Sequence, residues 1–205
     1  MSTRRMLLNE SEEIMEDLML KRLTDTMTEY SSDEVTDVIA HGFSYQTNLE
    51  SVSLPNCKTL QTGAFCGCTN LSQLDLPNLV SIPGTNVFRN CSSLTEFITT
   101  EKFNSRLDAS VFERCSGLVK ADFYHITSLG IGVYALACKN LKTLIIRNTD
   151  FVPPIVSTIF GASTTAMNTG EGRIYVPGTM VDAYKADTNW STYADQIFSI
   201  EELTI

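Results

Sequence analysis

The feature that most constrains how this chain can fold is a repeat of 23 or 24 residues. Four cysteines mark it, and a leucine follows each of them by three residues: Cys68 and Leu71, Cys91 and Leu94, Cys115 and Leu118, Cys138 and Leu141. An earlier unit carries Gln46 in the cysteine position and Leu49 at the same spacing. A sustained period of about 20 to 50 residues is typical of stacked repeats, since one unit is too small to bury its own apolar side chains.

The residues that follow each leucine indicate a short strand. In the second unit Leu74 and Leu76 alternate with Asp75, which is the two-residue period of a strand with one buried side, and a proline then ends the strand. A second apolar pair, such as Leu60 with Phe65, closes each coil. We therefore predict a repeat solenoid, a parallel β stack of about five coils over residues 35–150 with one shared Leu, Phe and Cys core.

The composition narrows the class of protein. Of the 205 residues, 43% are hydrophobic and 19% are charged, as in ordinary globular proteins. The net charge of −9 disfavours nucleic acid as a partner, because phosphates attract basic surfaces. We recognise no apolar run long enough to span a membrane and no secretory leader, so we expect a reducing compartment and no membrane insertion.

The six cysteines are expected to be free thiols. Four of them occupy equivalent positions in consecutive coils, where stacking places them in one row, and cysteine is among the residues most often buried. The alternative is a metal site at Cys66-Gly67-Cys68. It is disfavoured because a second close cysteine pair or paired histidines are missing. We expect no metal and no cofactor.

Residues 1–34 are predicted to form a separate terminal segment built on a helix over residues 9–30. Asn9 with Glu12 fits a capping box at its start. Apolar residues form one broad stripe along this helix: Met15, Leu18, Met19, Leu23, Met27 and Tyr30. Two interpretations stay open, a lid over the first coil or a docking helix that binds a partner or forms an oligomer. Methionine suits the second, because it adapts to different contact surfaces.

Residues 151–205 are predicted to form a small α+β capping module at the other end. A strand is expected at 173–176, followed by a short helix through residue 186 that Thr179 and Asp182 would cap. Trp190, with Phe198 and other apolar residues, is expected to pack this module on the last coil.

The repeat unit C-x-x-L-x-x-L-x-L-P, followed by I-x-x-x-x-F, resembles the BspA-type leucine-rich repeat. That family is common in surface proteins of gut and oral bacteria, in some protozoa, and in phages and prophages. Four segments of the tail, 143–149, 172–177, 182–185 and 188–191, resemble the C-terminal end of phage-encoded members. The third unit departs from the pattern, with Thr99-Thr100-Glu101-Lys102 in place of Leu-Pro.

The outward strand positions and their neighbours are the candidate binding residues, because rows of such side chains form the extended surfaces that solenoids use. They are Asp75, Glu96, Ile98, Lys120, Asp122, Tyr124, His125 and Ile145. The best candidates are the two outward isoleucines, with the tyrosine and histidine near them; the alternative is that loops cover the isoleucines. A sugar, a protein and a neighbouring subunit all remain open as the ligand.

We do not expect an enzyme. The sequence has no nucleophile elbow and no phosphate-binding loop, and its histidines, His41 and His125, lie in different coils. The resemblance implies a virion component made in the host cytoplasm, such as a tail fibre, baseplate or capsid-surface protein. It would dock to other virion proteins, present its repeat face to a host-surface protein or glycan, and form a homo-oligomer. The alternative is a bacterial cell-surface adhesin or a protein-interaction module.

Overall fold

The computed structural model describes residues 27–129, 134–156, 158–162 and 164–203. Its strands are β1 (Glu29–Ser31), β2 (Asp37–Val38), β3 (Ser51–Ser53), β4 (Thr59–Leu60), β5 (Gln73–Asp75), β6 (Glu96–Ile98), β7 (Ser105–Leu107), β8 (Lys120–Phe123), β9 (Ile126–Leu129), β10 (Thr143–Ile146), β11 (Arg173–Val176) and β12 (Ile197–Ser199). The strands stack in two rows. The first row consists of the sheets β1-β3-β5 and β6-β8-β10-β11-β12, and the second of the pairs β2-β4 and β7-β9.

All strand pairs of the described residues are parallel, as expected when each strand pairs with its counterpart one coil later. The first row corresponds to a solenoid of about 7 turns, where the repeat pattern predicted about five. The additional turns come from β1, which precedes the first recognised unit, and from β11 and β12, which continue the sheet beyond the last one.

The N-terminal prediction needs correction where the described residues begin. Residues 29 and 30, predicted to end the helix, instead belong to β1, which pairs with β3 and places Tyr30 opposite Val52. Met27, predicted to lie on the docking stripe, is buried in the core of the array. The rest of the stripe (Met15, Leu18, Met19 and Leu23) lies outside the described residues, so the helix and its docking role stay predictions, as do the domain boundaries.

Two ladders of side chains fix the register of consecutive coils. Four phenylalanine rings stack nearly face to face with centroids 5.1, 5.5 and 5.2 Å apart: Phe43, Phe65, Phe88 and Phe112. Each ladder cysteine donates its S–H to the carbonyl oxygen of the phenylalanine one coil earlier: Cys68 to Phe43 (3.0 Å), Cys91 to Phe65 (3.1 Å), Cys115 to Phe88 (2.9 Å) and Cys138 to Phe112 (3.0 Å). The prediction of buried, free thiols is confirmed.

A tight turn recurs two residues before each of these phenylalanines, and before Leu136 in the next coil, and uses the left-handed backbone region. The φ angles are 61° at His41, 64° at Gly63, 57° at Asn86, 58° at Ser110 and 69° at Tyr134. At position 63 a Cβ would lie 2.5 Å from Nδ1 of His41, so a larger residue there would require the exposed His41 ring to move. The turn thus repeats with the same geometry from coil to coil, although its residue type varies.

The C-terminal module continues the stack and covers its end. It contains a helix α1 (Val181–Ala186) and 3-10 turns at Gly178–Met180, Trp190–Gln196 and Ile200–Glu202. Trp190 is fully buried, donates its indole N–H to the Pro153 carbonyl oxygen at 2.8 Å, and packs edge-on against Tyr184. The predicted cap of α1 is wrong, because its N-cap residue is Met180 and no side chain caps it.

Candidate functional site

The outward side chains of the first strand row form one surface, which we call the strand face. In ladder order its central positions are Ser53, Asp75, Ile98, Asp122, Ile145, Tyr175 and Phe198. The first coils present the polar residues Ser53 and Asp75, which we call the polar part of the strand face. From β6 onward the positions are apolar or aromatic except for Asp122, and we call this the amphipathic part.

Four of the predicted binding residues are exposed on the strand face. Ile98 is 52% exposed and Tyr124 is 43% exposed, which is unusual for side chains of this size, and Asp75 and Glu96 are exposed carboxylates. Lys120 is half-buried beside Glu96 in the ladder.

Two of the predicted binding residues are instead buried. Ile145 is 1% exposed, because its ladder neighbours Asp122 and Tyr175 flank it on both sides. Asp122 is also buried and accepts two hydrogen bonds from the guanidinium of Arg147, at 2.8 and 2.7 Å. This bidentate pairing raises the pKa of Arg147. Neither residue is available to a ligand in the way the sequence pattern suggested.

The imidazole of His125 is held by groups from neighbouring coils. Its Nδ1 lies 2.9 Å from Oδ1 of Asn104, its Nε2 lies 3.4 Å from Oδ1 of Asp150, and its ring meets Phe151 edge-on at 5.5 Å. The residue is half-buried, so it joins adjacent coils at the border of the strand face rather than projecting from it.

Sequence reasoning missed the last part of the strand face, where two aromatic rings follow Ile145. Tyr175 and Phe198 are half-buried ladder partners with ring centroids 6.1 Å apart, and the guanidinium of Arg173 lies 5.3 Å from the Phe198 ring. Phe198 therefore belongs to the outward surface and not to the interior packing predicted for it. The alternation of apolar residues in Arg173–Val176 indicates that Tyr175 points outward, but this strand lies beyond the recognised repeats.

The strand face is interrupted between β5 and β6. No ladder pairing joins these two strands, although both lie in a continuously described part of the chain. A cavity of about 210 Å³ opens there, and it is lined by Leu74, Leu76, Leu79, Glu96, Phe97, Ile98 and Thr99. Leu74 and Leu76 are half-buried, whereas the equivalent Val52 and Leu54 of the preceding coil are buried.

The described residues contain no group of three His, Cys, Asp or Glu side chains arranged to hold a metal ion. Burial raises the pKa of the Cys57 thiol to about 11 and holds the pKa values of Cys91 and Cys138 well above the usual range, so these thiols are poor nucleophiles. In the same residues, no helix has the length and apolar character needed to cross a membrane.

Comparison with solved structures finds bacterial proteins. The pneumococcal vaccine antigen PcpA superimposes with a TM-score of 0.58 over 85% of this chain and 40% of its own, at 16% identity. A leucine-rich repeat protein from Bacteroides ovatus gives 0.41 over 75% of this chain and 56% of its own, at 14% identity. At 16% identity the likeness to PcpA shows the fold alone, and this chain spans less than half the length of PcpA.

Sequence comparison identifies the family. No curated protein sequence matches this chain. The family model described as the BspA type leucine rich repeat region (6 copies) matches residues 36–165. Since that match covers more than half of the sequence and agrees with the repeating coils of the structure, the chain belongs to the BspA-type leucine-rich repeat family.

Proposed function

We propose that the chain is a non-enzymatic binding module that attaches through the amphipathic part of its strand face to a protein or glycan on a cell surface. The observation that supports this best is the group of apolar and aromatic side chains on one surface, with Ile98 and Tyr124 exposed and Tyr175 and Phe198 half-buried. Apolar side chains grouped on one surface favour the binding of a partner. Tyrosine, phenylalanine and arginine are also enriched at interfaces, and Arg147 and Arg173 flank this row.

The rigidity of the surface supports the same proposal. These side chains stand on five hydrogen-bonded parallel strands, and Asp122 with Arg147 links two adjacent coils from the outside. A surface fixed in this way loses little conformational entropy when a partner binds. The polar first coils offer no comparable anchors, so the binding region is placed on β6 to β12.

We further propose that the module belongs to a phage particle, as a tail fibre, baseplate or capsid-surface protein. The four tail segments that resemble phage-encoded members support this placement, and they correspond to β10, β11, α1 and the start of the turn that carries Trp190. The N-terminal segment would dock to other virion proteins, and the module would be a homo-oligomer as virion appendages usually are. The second candidate is a bacterial cell-surface adhesin or interaction module, since proteins with this repeat are common on bacterial surfaces.

Binding through the strand face is tested by adsorption of the purified, fluorescently labelled chain to cells of the strain that carries its gene. We expect the double variant Tyr124→Ala, Tyr175→Ala to adsorb at least about tenfold less, because aromatic interface anchors commonly contribute 2 kcal/mol or more. The matched control is Tyr45→Ala, Tyr134→Ala, which removes two exposed tyrosines that do not lie on the strand face. Equal adsorption of the two variants would contradict the proposal.

The virion placement is tested separately. Particles induced from that strain and purified on a density gradient should contain peptides of this chain by mass spectrometry. Recovery of the chain in the cell-envelope fraction and not in particles would favour the adhesin instead.

A further inference from the structure

The interruption between β5 and β6 breaks a hydrogen-bond pattern that is regular on both sides of it. The amides of Ser72 and Gln73 both donate to the Glu50 carbonyl oxygen of the preceding coil, at 2.9 and 3.1 Å. The amides of Val119 and Lys120 donate in the same way to Thr95, at 2.9 and 3.4 Å. At the junction between these two, the equivalent amides are those of Thr95 and Glu96. They donate to no carbonyl oxygen of β5. Among the consecutive described strands of the first row, from β1 to β12, only β5 and β6 are unpaired with each other, and we call this gap the splay.

The Phe97 ring at this junction is held by other aromatic rings. Its centroid lies 5.2 Å from Phe88, 5.0 Å from Phe112 and 6.0 Å from Phe123. Its ladder partner in the following coil is the small Ala121. In the preceding coil, Leu74 has no ladder partner on β6 and stays half-buried.

The splay coincides with Thr99, which occupies the inward position held by Leu54, Leu76, Phe123 and Ile146 in the other recognised units. Its hydroxyl oxygen accepts a hydrogen bond from the amide of Tyr124 at 2.8 Å and lies 3.3 Å from the carbonyl oxygen of Asp122. The side chain is thus engaged by the following coil and gives Leu76 no apolar neighbour. Leu74 and Leu76 are left half-buried at the floor of the cavity.

The dimensions of the cavity limit what can enter it. Its volume is about 210 Å³, which exceeds the roughly 150 Å³ that accepts a benzene molecule in an apolar cavity and is below the roughly 300 Å³ of small drug-binding pockets. The coils remain tied on both sides of it, by the Ser93 amide to the Thr69 carbonyl oxygen at 3.1 Å and by the Thr100 hydroxyl to the Pro77 carbonyl oxygen at 3.2 Å. An additional strand would need about 4.8 Å on each side, so one side chain fits and a strand does not.

The charges around the cavity indicate which kind of residue should lie next to the side chain that enters it. Glu96 lines the opening, and Asp75 projects from β5 on the other side of it; both are exposed. Asp75 accepts a hydrogen bond from the Ser53 hydroxyl at 2.8 Å, and neither carboxylate forms an ion pair with a described residue. Lys120 is the ladder neighbour of Glu96 but forms no ion pair with it. Two carboxylates without an ion pair among the described residues, on a chain of net charge −9, favour a cationic neighbour.

We propose that this cavity, which we call the anchor pocket, binds one large apolar side chain of a partner protein, of leucine to phenylalanine size, with a lysine or arginine next to it. The proposal rests on the proposed function, since the pocket adjoins Ile98 at the border of the amphipathic part of the strand face. The partner is thereby a polypeptide and not a glycan. Filling a preformed, desolvated pocket with an apolar anchor is the common arrangement of interface hot spots.

The pocket can be tested with the full chain, methyl-labelled for NMR, and the peptide N-acetyl-Phe-Lys-amide as the probe. We expect saturable shifts at the methyl groups of Leu74, Leu76, Leu79 and Ile98 at millimolar peptide. The shifts should weaken at least about fivefold for N-acetyl-Phe-Glu-amide at low salt and disappear for N-acetyl-Ala-Lys-amide. Methyl groups that do not move up to roughly 20 mM peptide would overturn the proposal.

Two variants that fill the cavity are used, so that the test still works if one of them fails to fold. Thr99→Leu restores the apolar residue of the other coils, and Leu74→Trp fills the cavity from its floor; at least one should fold with an unchanged circular dichroism spectrum. The folded variant should lose the peptide shifts, whereas Val119→Leu, an enlargement at an exposed site outside the pocket, should retain them. Peptide shifts that persist in a folded filling variant would refute the pocket.

The peptide experiment and the adsorption experiment distinguish an error in the anchor-pocket proposal from an error in the proposed function. If the Tyr124→Ala, Tyr175→Ala variant loses adsorption but the probe peptide does not shift the pocket methyl groups, the pocket is wrong and the binding face stands. If the peptide shifts those methyl groups but the double variant adsorbs normally, the pocket exists and the proposed role of the strand face is wrong.

Discussion

Truncation of Phe88 to alanine should be one of the most destabilising single changes in this chain. The ring is fully buried and meets Phe65, Phe112 and Phe97 with centroids 5.5, 5.2 and 5.2 Å away. Removing a buried phenylalanine costs about 3–5 kcal/mol through lost transfer energy and the cavity left behind. Three ring contacts, each contributing about 0.5–1.5 kcal/mol beyond burial, place this site in the upper part of that range, at about 4 kcal/mol.

The cost is measurable by urea denaturation followed by far-ultraviolet circular dichroism and by Trp190 fluorescence. With a urea dependence of about 2 kcal/mol per molar, the midpoint should fall by about 2 M. Because Trp190 lies in the C-terminal module, coincident shifts of the two signals would show that the coils unfold as one unit. Phe88→Leu, which keeps apolar volume, should cost less than Phe88→Ala.

Tyr45→Ala is the matched control, because that ring is 68% exposed and its loss should stay within about 0.5 kcal/mol. The reasoning fails if Phe88→Ala changes the free energy of unfolding by less than about 1 kcal/mol, or by no more than this control does.

Three other predictions concern the inside and the outside of the stack. Leu118→Ala should lower the free energy of unfolding by about 2–5 kcal/mol, whereas Asp75→Asn should change it by less than about 0.5 kcal/mol; equal costs in urea denaturation would contradict the assignment of inner and outer positions. Arg147→Ala should destabilise the chain more than Asp122→Ala does, because it leaves the buried Asp122 carboxylate without its partner, whereas the Arg147 guanidinium is 39% exposed and stays solvated when Asp122 is removed; the reverse order would contradict this account. The folded-state pKa of Cys57 lies above its ordinary value of 9.0, at about 11, so its contribution to stability is complete below pH 9 and is lost as the pH rises toward 11. Thermal denaturation should therefore show a fall in the midpoint over that window that is shallower in Cys57→Ala, and identical pH profiles would refute it.

The strand stack could be predicted because its cause is local and repeated. One leucine, one cysteine and one phenylalanine recur at fixed positions, and each finds its counterpart one coil later at the same spacing. β1 lacked this signal, because Glu29–Ser31 carries no leucine pattern. Its place follows from the register of Tyr30 with Val52, which is a tertiary contact.

The candidate site was predictable only in part, because exposure on a solenoid depends on residues one coil away. Ile145 and Asp122 occupy outward positions by alternation, yet Arg147 and Tyr175 on neighbouring strands decide that they are buried. The departure from the repeat at Thr99 was visible in the sequence. Its consequence, an interrupted ladder with Leu74 and Leu76 half-buried, depends on how adjacent coils pack and was not visible in the sequence.

The central claim is that consecutive coils lie in register around one dry interior and hold the strand face rigid. A crystal structure phased from the native sulfur atoms tests it most directly. The account predicts that the anomalous peaks of Cys68, Cys91, Cys115 and Cys138 lie on one line, about 5 Å apart, as the spacing of stacked strands requires. Sulfur positions scattered off such a line, or two of them joined in a disulfide, would contradict it.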